Sequence, residues 1–126
     1  MKKYFEINKI IKPYEKVINV EGDKSLSIRW VLLASLSQKK SVAYNLLKSE
    51  DVLSALKCIK ILGSKIKIKK TKCEIIGIGL KEKLKKNLIL NAGNSGTTAR
   101  LLLSILIDSN KKIKVTGDES LKKRDM

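Results

Sequence analysis

Three stretches of this chain share one layout. Gly22-Asp-Lys-Ser-Leu-Ser-Ile-Arg29, Gly93-Asn-Ser-Gly-Thr-Thr-Ala-Arg100 and Gly117-Asp-Glu-Ser-Leu-Lys-Lys-Arg124 each place an arginine seven residues after a glycine. Each follows a short apolar run, where a strand ends, and opens a segment rich in helix-start residues. A strand-to-helix junction that recurs in this way confines the chain to repeated α/β units.

The spacing between the junctions fills in the units. Val17 to Val20 is short and β-branched and is predicted to be a strand ending at Glu21-Gly22. Ser25 is the expected N-cap of a first helix, and Leu26 to Leu36 is apolar almost all the way round, which predicts a buried helix. A second strand is expected over Ser41 to Leu46, followed by a helix capped by Ser49. In that helix Glu50 and Asp51 sit in the first turn, and Leu53, Leu56, Ile59 and Leu62 repeat up to Gly63. From Lys65 the period becomes two, with Lys65, Lys67 and Lys69 alternating with Ile66 and Ile68, and a hairpin partner follows at Cys73 to Ile78.

The charged stretch Lys81 to Lys86 is read as a loop. A strand at Leu88 to Asn91, a turn at Gly93 to Gly96, a buried helix at Thr97 to Ile107 and a strand at Lys111 to Thr116 come next, and a further helix opens before Met126. The expected order is β-α-β-α-β-β, then β-α-β-α. The fold class is α/β (α+β), and the chain reads as truncated in the first turns of its last helix.

With 126 residues, 43% of them apolar, there is material for one modest core and too little for two ordinary domains. The formal net charge of +16 would attract polyanions. The lysines are spread along the chain, as at Lys2-Lys3, Lys39-Lys40 and Lys111-Lys112, and neither stacking aromatics nor a groove-reading motif accompanies them, so no nucleic-acid partner is expected. Cys58 and Cys73 have no histidine to join them at zinc-site spacing; they are read as reduced thiols, and no metal is expected. The start lacks a signal-peptide apolar stretch, and the longest apolar runs are too short for a membrane span, so a cytoplasmic location with no membrane partner is expected.

Only three of the 28 basic residues are arginines, and all three close a junction. A guanidinium offers a planar fork of donors that matches phosphate or carboxylate in two contacts, whereas lysine supplies a mobile point charge. Glycine-containing turns and helix N-termini add backbone N–H groups suited to an anion. Each junction taken alone is ordinary capping. The shared spacing and the arginine restriction favour anion binding at one end of the fold for Arg29 and Arg124, with Lys24, inside its turn, the best of the lysines. Arg100, followed by a wholly apolar run, is expected to brace neighbouring elements.

Gly22-Asp23-Lys24-Ser25 with Arg29, the run NAGNSGTTARLLL from Asn91 to Leu103, and TGDESLKKRDM from Thr116 to Met126 resemble, in order and spacing, three substrate-binding segments of the EPSP synthase (3-phosphoshikimate 1-carboxyvinyltransferase) family of enolpyruvyl transferases. The resemblance covers essentially the whole chain. It implies an inside-out α/β barrel architecture in which each of two similar domains holds three βαβαββ units around buried parallel helices. Residues 1–20 would then be a leading segment of the domain completed by the absent C-terminal half, and 21–126 the first part of the second domain.

By the same resemblance Lys24, Ser25 and Arg29 would bind shikimate 3-phosphate, while Lys24, Asn94, Gly96, Thr97 and Arg124 would bind phosphoenolpyruvate. It also implies no cofactor, a monomeric full-length enzyme, a general acid and base outside these residues, and an inactive 126-residue chain. A sister enzyme acting on a nucleotide sugar typically carries Lys-Asn where this chain has Lys24-Ser25. The family's usual Lys-Arg-Pro-Met is replaced by Lys123-Arg124-Asp125-Met126, which sets an acidic residue beside Arg124.

Overall fold

The computed structural model describes residues 6, 8–10, 12–79, 84 and 87–125. Strands and helices alternate over Lys24–Ser35 (α1), Lys40–Tyr44 (β1), Glu50–Leu62 (α2), Lys65–Lys69 (β2), Lys72–Ile76 (β3), Leu88–Asn91 (β4), Gly96–Leu106 (α3), Ile113–Thr116 (β5) and Glu119–Lys122 (α4). The three strands among the first five elements form an antiparallel sheet of order β1-β3-β2. Because β3 runs against both neighbours, β1 and β2 are parallel to each other, and α2 is the crossover between them. The second group repeats the crossover in minimal form, with β4 and β5 directly paired in parallel and α3 between them. The expected loop at Lys81 to Lys86 falls mostly outside the described residues.

Local chemistry accounts for most boundaries. Ser49 precedes α2, Glu50 and Asp51 occupy its first turn, and Gly63 ends it at φ +119°, a left-handed position suited to glycine. The Gly63 and Ser64 N–H groups donate to the Lys60 and Ile59 carbonyls, each at 3.0 Å. On α2 the buried stripe is Val52, Ala55, Leu56, Ile59 and Leu62, while Leu53, an expected core position, is 40% exposed. The hydrophobic core joins this stripe to Ile28, Val31 and Leu32 of α1, Ile75 of β3, Leu90 of β4 and Leu102 of α3. One core therefore serves both sheets. Burial of each such aliphatic side chain contributes about 1.5–3 kcal/mol.

Three expectations fail for physical reasons. The Val17 to Val20 stretch forms no strand: residues 12–20 have no regular structure, and Val17 is 89% exposed. A β-branched run becomes a strand only with a partner to take its backbone hydrogen bonds. None of the described strands pairs with it, and its described tie is the Val20 carbonyl accepting from Asn45 Nδ2 at 3.1 Å. The first helix is capped by Asp23, whose Oδ1 accepts from Leu26 N at 2.7 Å, so Ser25 lies inside the first turn. Finally, α1 and α3 are only half buried. Leu26 and Leu33 are 67% and 65% exposed, and on α3 the buried residues are Thr98, Ala99 and Leu102. An all-round apolar helix needs neighbours on every side, and among the described residues these two have them on one side.

Candidate anion site at the glycine junctions

The three junctions each open a helix but pack differently. The cap is the aspartate after the glycine at the first and third, and Ser95, two residues after Gly93, at the second. At each, the glycine is fixed by close approach of another backbone or side chain. A Cβ on Gly22 would lie 2.2 Å from the Asn45 carbonyl oxygen; on Gly93, 2.8 Å from Ser54 Oγ; and on Gly117, 2.4 Å from the Gly93 carbonyl oxygen. The second and third junctions are thus stacked on each other. Their contact is sealed by Asp118 N donating to Gly93 O at 2.9 Å and Ala92 N donating to Thr116 O at 2.8 Å. Both outcomes follow from β4 and β5 being adjacent parallel strands whose C-terminal ends emerge side by side.

Stacking brings Asn94, Gly96 and Arg124 together. Arg124 Nη2 donates to Asn94 Oδ1 at 2.7 Å and to Ser120 Oγ at 3.2 Å. Asn94 Nδ2 donates to Asp118 Oδ2 at 2.8 Å, and the other carboxylate oxygen of Asp118 caps α4 by accepting from Leu121 N at 2.8 Å. Gly96 opens α3 directly beneath the guanidinium, so that a Cβ there would sit 3.5 Å from Nη1. Ser95 caps α3, its Oγ accepting from Thr98 N at 3.1 Å, and Thr97 is half buried in the first turn. Asp125, the acidic residue beside Arg124 in sequence, forms no ion pair with it among the described residues. The described contact of Asp125 is its backbone carbonyl, which accepts from Arg100 Nη2 at 3.2 Å, while the nearby carboxylate is Asp118, kept one amide away. Arg100 braces the chain after α4, as its sequence context predicts.

The first junction is arranged otherwise. Lys24 Nζ lies 2.6 Å from Asp51 Oδ2, so its charge is shared with the first turn of α2. Ser25 is exposed, and Ser27 is buried with its Oγ accepting from Leu47 N at 3.1 Å. Arg29 does not join the Arg124 cluster. It is exposed at the rim of a groove of about 960 Å³ between α1 and α3, whose apolar walls include Leu32, Leu33, Leu101, Ile105 and Ile107. The expectation that Arg29 and Arg124 stand at one shared anion site differs from what the structure brings together: Arg29 lines a groove, Arg124 is held beside Asn94, and Arg100 braces as expected. A shared feature does connect the first and second junctions. Asp51, which holds Lys24, lies one helical turn before Ser54, which supports Gly93, so α2 carries both.

Two acidic residues outside the expected set contact it: Asp51, read from sequence as a helix-dipole residue, pairs with Lys24, and Asp118 accepts from Asn94. A signal for Asp118 exists, because Asp23, Asn94 and Asp118 occupy the same place, one residue after the glycine. Both cysteines are buried thiols whose surroundings disfavour the thiolate. Burial pushes the Cys58 thiol up to about 11 and raises that of Cys73, and Cys58 Sγ instead donates to the Asn91 carbonyl at 3.3 Å. Among the described residues no cluster of three or more His, Cys, Asp or Glu side chains is placed to hold a metal, and no helix is long and apolar enough to cross a membrane.

The family model for EPSP synthase (3-phosphoshikimate 1-carboxyvinyltransferase) matches residues 8–126. The chain belongs to the EPSP synthase family. Among its curated relatives, the 3-phosphoshikimate 1-carboxyvinyltransferase of Thermoanaerobacter sp. (strain X514) is 43% identical over 110 residues, covering 87% of this chain and 26% of that protein. The one from Syntrophomonas wolfei is 36% identical over 121 residues, covering 96% and 28%. The solved EPSP synthase from Acinetobacter baumannii superposes with a TM-score of 0.73 at 33% identity, covering 86% of this chain and 25% of that one. The chain thus spans about a quarter of the length of the EPSP synthases it matches. The mixed helix and strand fold is that of the family, with its sheets left open.

Proposed function

We propose that this chain forms part of the substrate cleft of an enzyme that transfers the enolpyruvyl group of phosphoenolpyruvate to the 5-hydroxyl of shikimate 3-phosphate, releasing phosphate. The observation that carries this reading is the Arg124–Asn94–Gly96 cluster. A guanidinium is held by a neutral amide directly above the N-terminal end of α3, and among the described residues it enters no ion pair. That arrangement suits a multiply charged anion.

In this reading Arg124, Asn94, Gly96 and Thr97 receive phosphoenolpyruvate. Lys24, Ser25 and Arg29 receive shikimate 3-phosphate, with Lys24 also reaching phosphoenolpyruvate. The substrate hydroxyl gives up its proton to a general base as its oxygen bonds to C2 of phosphoenolpyruvate and C3 gains a proton from a general acid, giving a tetrahedral intermediate. Loss of a C3 proton with departure of phosphate then restores the vinyl group. Positioning of two anions and neutralisation of their charge are what these residues contribute. The general acid and base are assigned to residues beyond these.

The domain assignment belongs to the same proposal: residues 1–20 accompany one domain and 21–126 begin the other, which agrees with an unpaired, exposed stretch at 12–20. The full-length enzyme is proposed to be a cytoplasmic monomer acting on these two small molecules, without cofactor and without nucleic acid. A full-length protein carrying these residues should release phosphate only when both substrates are supplied, and the 126-residue chain alone should release none. Release with either substrate alone, or turnover by the short chain, would overturn the cleft assignment.

A further inference from the structure

We infer that Asp118 is a positioning residue whose carboxylate fixes the polarity of the Asn94 amide and, through it, presents the Arg124 guanidinium to a carboxylate- or phosphate-bearing substrate. The inference rests on the assignment of Arg124 to phosphoenolpyruvate made above. An ionised carboxylate only accepts hydrogen bonds, whereas a side-chain amide has one donating and one accepting end. Asp118 Oδ2 accepts from Asn94 Nδ2 at 2.8 Å, and this commits the Asn94 oxygen to the opposite side, where it accepts from Arg124 Nη2 at 2.7 Å. Reversing the amide would set an NH2 group against a guanidinium, donor against donor.

The carboxylate cannot drift from this task. Its Oδ1 is engaged as the cap of α4 through Leu121 N at 2.8 Å, and its own backbone N–H is tied to Gly93 O, one residue before Asn94, at 2.9 Å. Interposing an amide also separates two effects that a direct ion pair would merge. The arginine is oriented, and its charge is left uncompensated for the ligand. Lys24, held directly by Asp51 at 2.6 Å, shows the alternative in the same molecule.

The test uses a full-length enzyme carrying these residues. Asp118→Asn and Asp118→Ser both retain a side chain able to cap α4, but neither offers Asn94 a second, acceptor-only oxygen. The expected result for both is a rise of about tenfold in KM for phosphoenolpyruvate, the worth of one hydrogen bond to a charged group. KM for shikimate 3-phosphate should stay within about twofold and the melting temperature within about 2 °C, since the cap survives.

Coupling supplies the decisive arm. Arg124→Gln should raise the same KM, and adding Asp118→Asn to it should raise it by clearly less than the tenfold of the single change, because part of what Asp118 does passes through Asn94 to Arg124. An additive further loss, a parallel rise in both KM values with a fall in melting temperature, or unchanged kinetics in both Asp118 variants would overturn the inference while leaving the Arg124 assignment intact. Unchanged phosphoenolpyruvate KM in Arg124→Gln would remove that assignment and the inference with it.

Discussion

The first and third junctions begin from the same layout, glycine to arginine in seven residues, and end with opposite electrostatics. At the first, the lysine after the capping aspartate is paired directly with Asp51, and the arginine stands apart at the rim of the α1–α3 groove. At the third, the arginine folds back onto the neighbouring junction and is held by Asn94, with Asp118 behind it. The difference comes from what lies beside each turn. Gly22 packs on the loop after β1, which offers backbone, whereas Gly117 packs on the Gly93 turn, which offers the Asn94 amide. A repeated sequence layout therefore fixes where a helix begins and leaves the partner of each charge to tertiary packing.

The sharpest way to break the comparison is through the glycines, which both junctions require for the same reason. An alanine methyl at Gly22 or Gly117 would fall within 2.2 or 2.4 Å of a backbone carbonyl oxygen, so the main chain itself must move. Gly22→Ala and Gly117→Ala should each destabilise the fold by about 2–3 kcal/mol, readable as a lower midpoint in urea denaturation at unchanged slope. Wild-type stability in either variant would mean that the glycine is kept for a ligand and that packing does not demand it.

A comparable effect, on affinity and not on folding, is expected at Arg29. Arg29→Lys keeps the charge and removes the planar fork, so shikimate 3-phosphate binding by the full-length enzyme should weaken by roughly 1.5–3 kcal/mol, measured by calorimetry. Its melting temperature should hardly move, because the side chain is exposed. Equal affinity in a normally folded variant would leave Arg29 as a groove-lining residue only, and would make the third junction the sole anion site among the three.

How far the sequence foretold this follows from the range of each interaction. Helix α2 was legible because its first-turn acids and Gly63 act within a few residues. The period-two run at Lys65–Lys69 gave β2 for the same reason. The Asp23 cap was displaced by two residues onto Ser25 because both are good caps and only the chain entering from Gly22 decides between them. The strand at Val17 to Val20 failed because strand formation depends on a partner that local pattern does not supply. Residues of the site were legible as types, arginine among lysines, but their partners were not: Lys24–Asp51 and Arg124–Asn94 span 27 and 30 positions, and nothing in local spacing encodes them.

A smaller effect sharpens the contrast at Gly96. An added methyl would meet Arg124 Nη1 at 3.5 Å and Leu121 Cδ1 at 3.8 Å, both ordinary contacts, so Gly96→Ala should fold normally and gain up to about 0.5–1 kcal/mol from reduced backbone entropy. The same methyl occupies space beside the guanidinium. Phosphoenolpyruvate affinity should therefore fall several-fold while shikimate 3-phosphate affinity is kept. A parallel loss of both would place Gly96 in the general packing of α3.

The smallest effect is expected where the charge is already paired. Lys24 is 57% exposed and Asp51 18%, so water reaches their 2.6 Å contact from the lysine side only. A pair with one exposed partner contributes about 1 kcal/mol at most, and a first-turn carboxylate adds a few tenths through the helix dipole. Asp51→Asn should accordingly lower stability by about 1 kcal/mol or less, with the deficit against wild type shrinking as salt is raised. In the full-length enzyme the freed ammonium should then titrate with inorganic phosphate at least as well as wild type, because the carboxylate that competed with the anion is gone. A loss of several kcal/mol would show instead that Asp51 holds the start of α2 against Lys24 as part of the fold, and the first junction would have to be regarded as structural throughout.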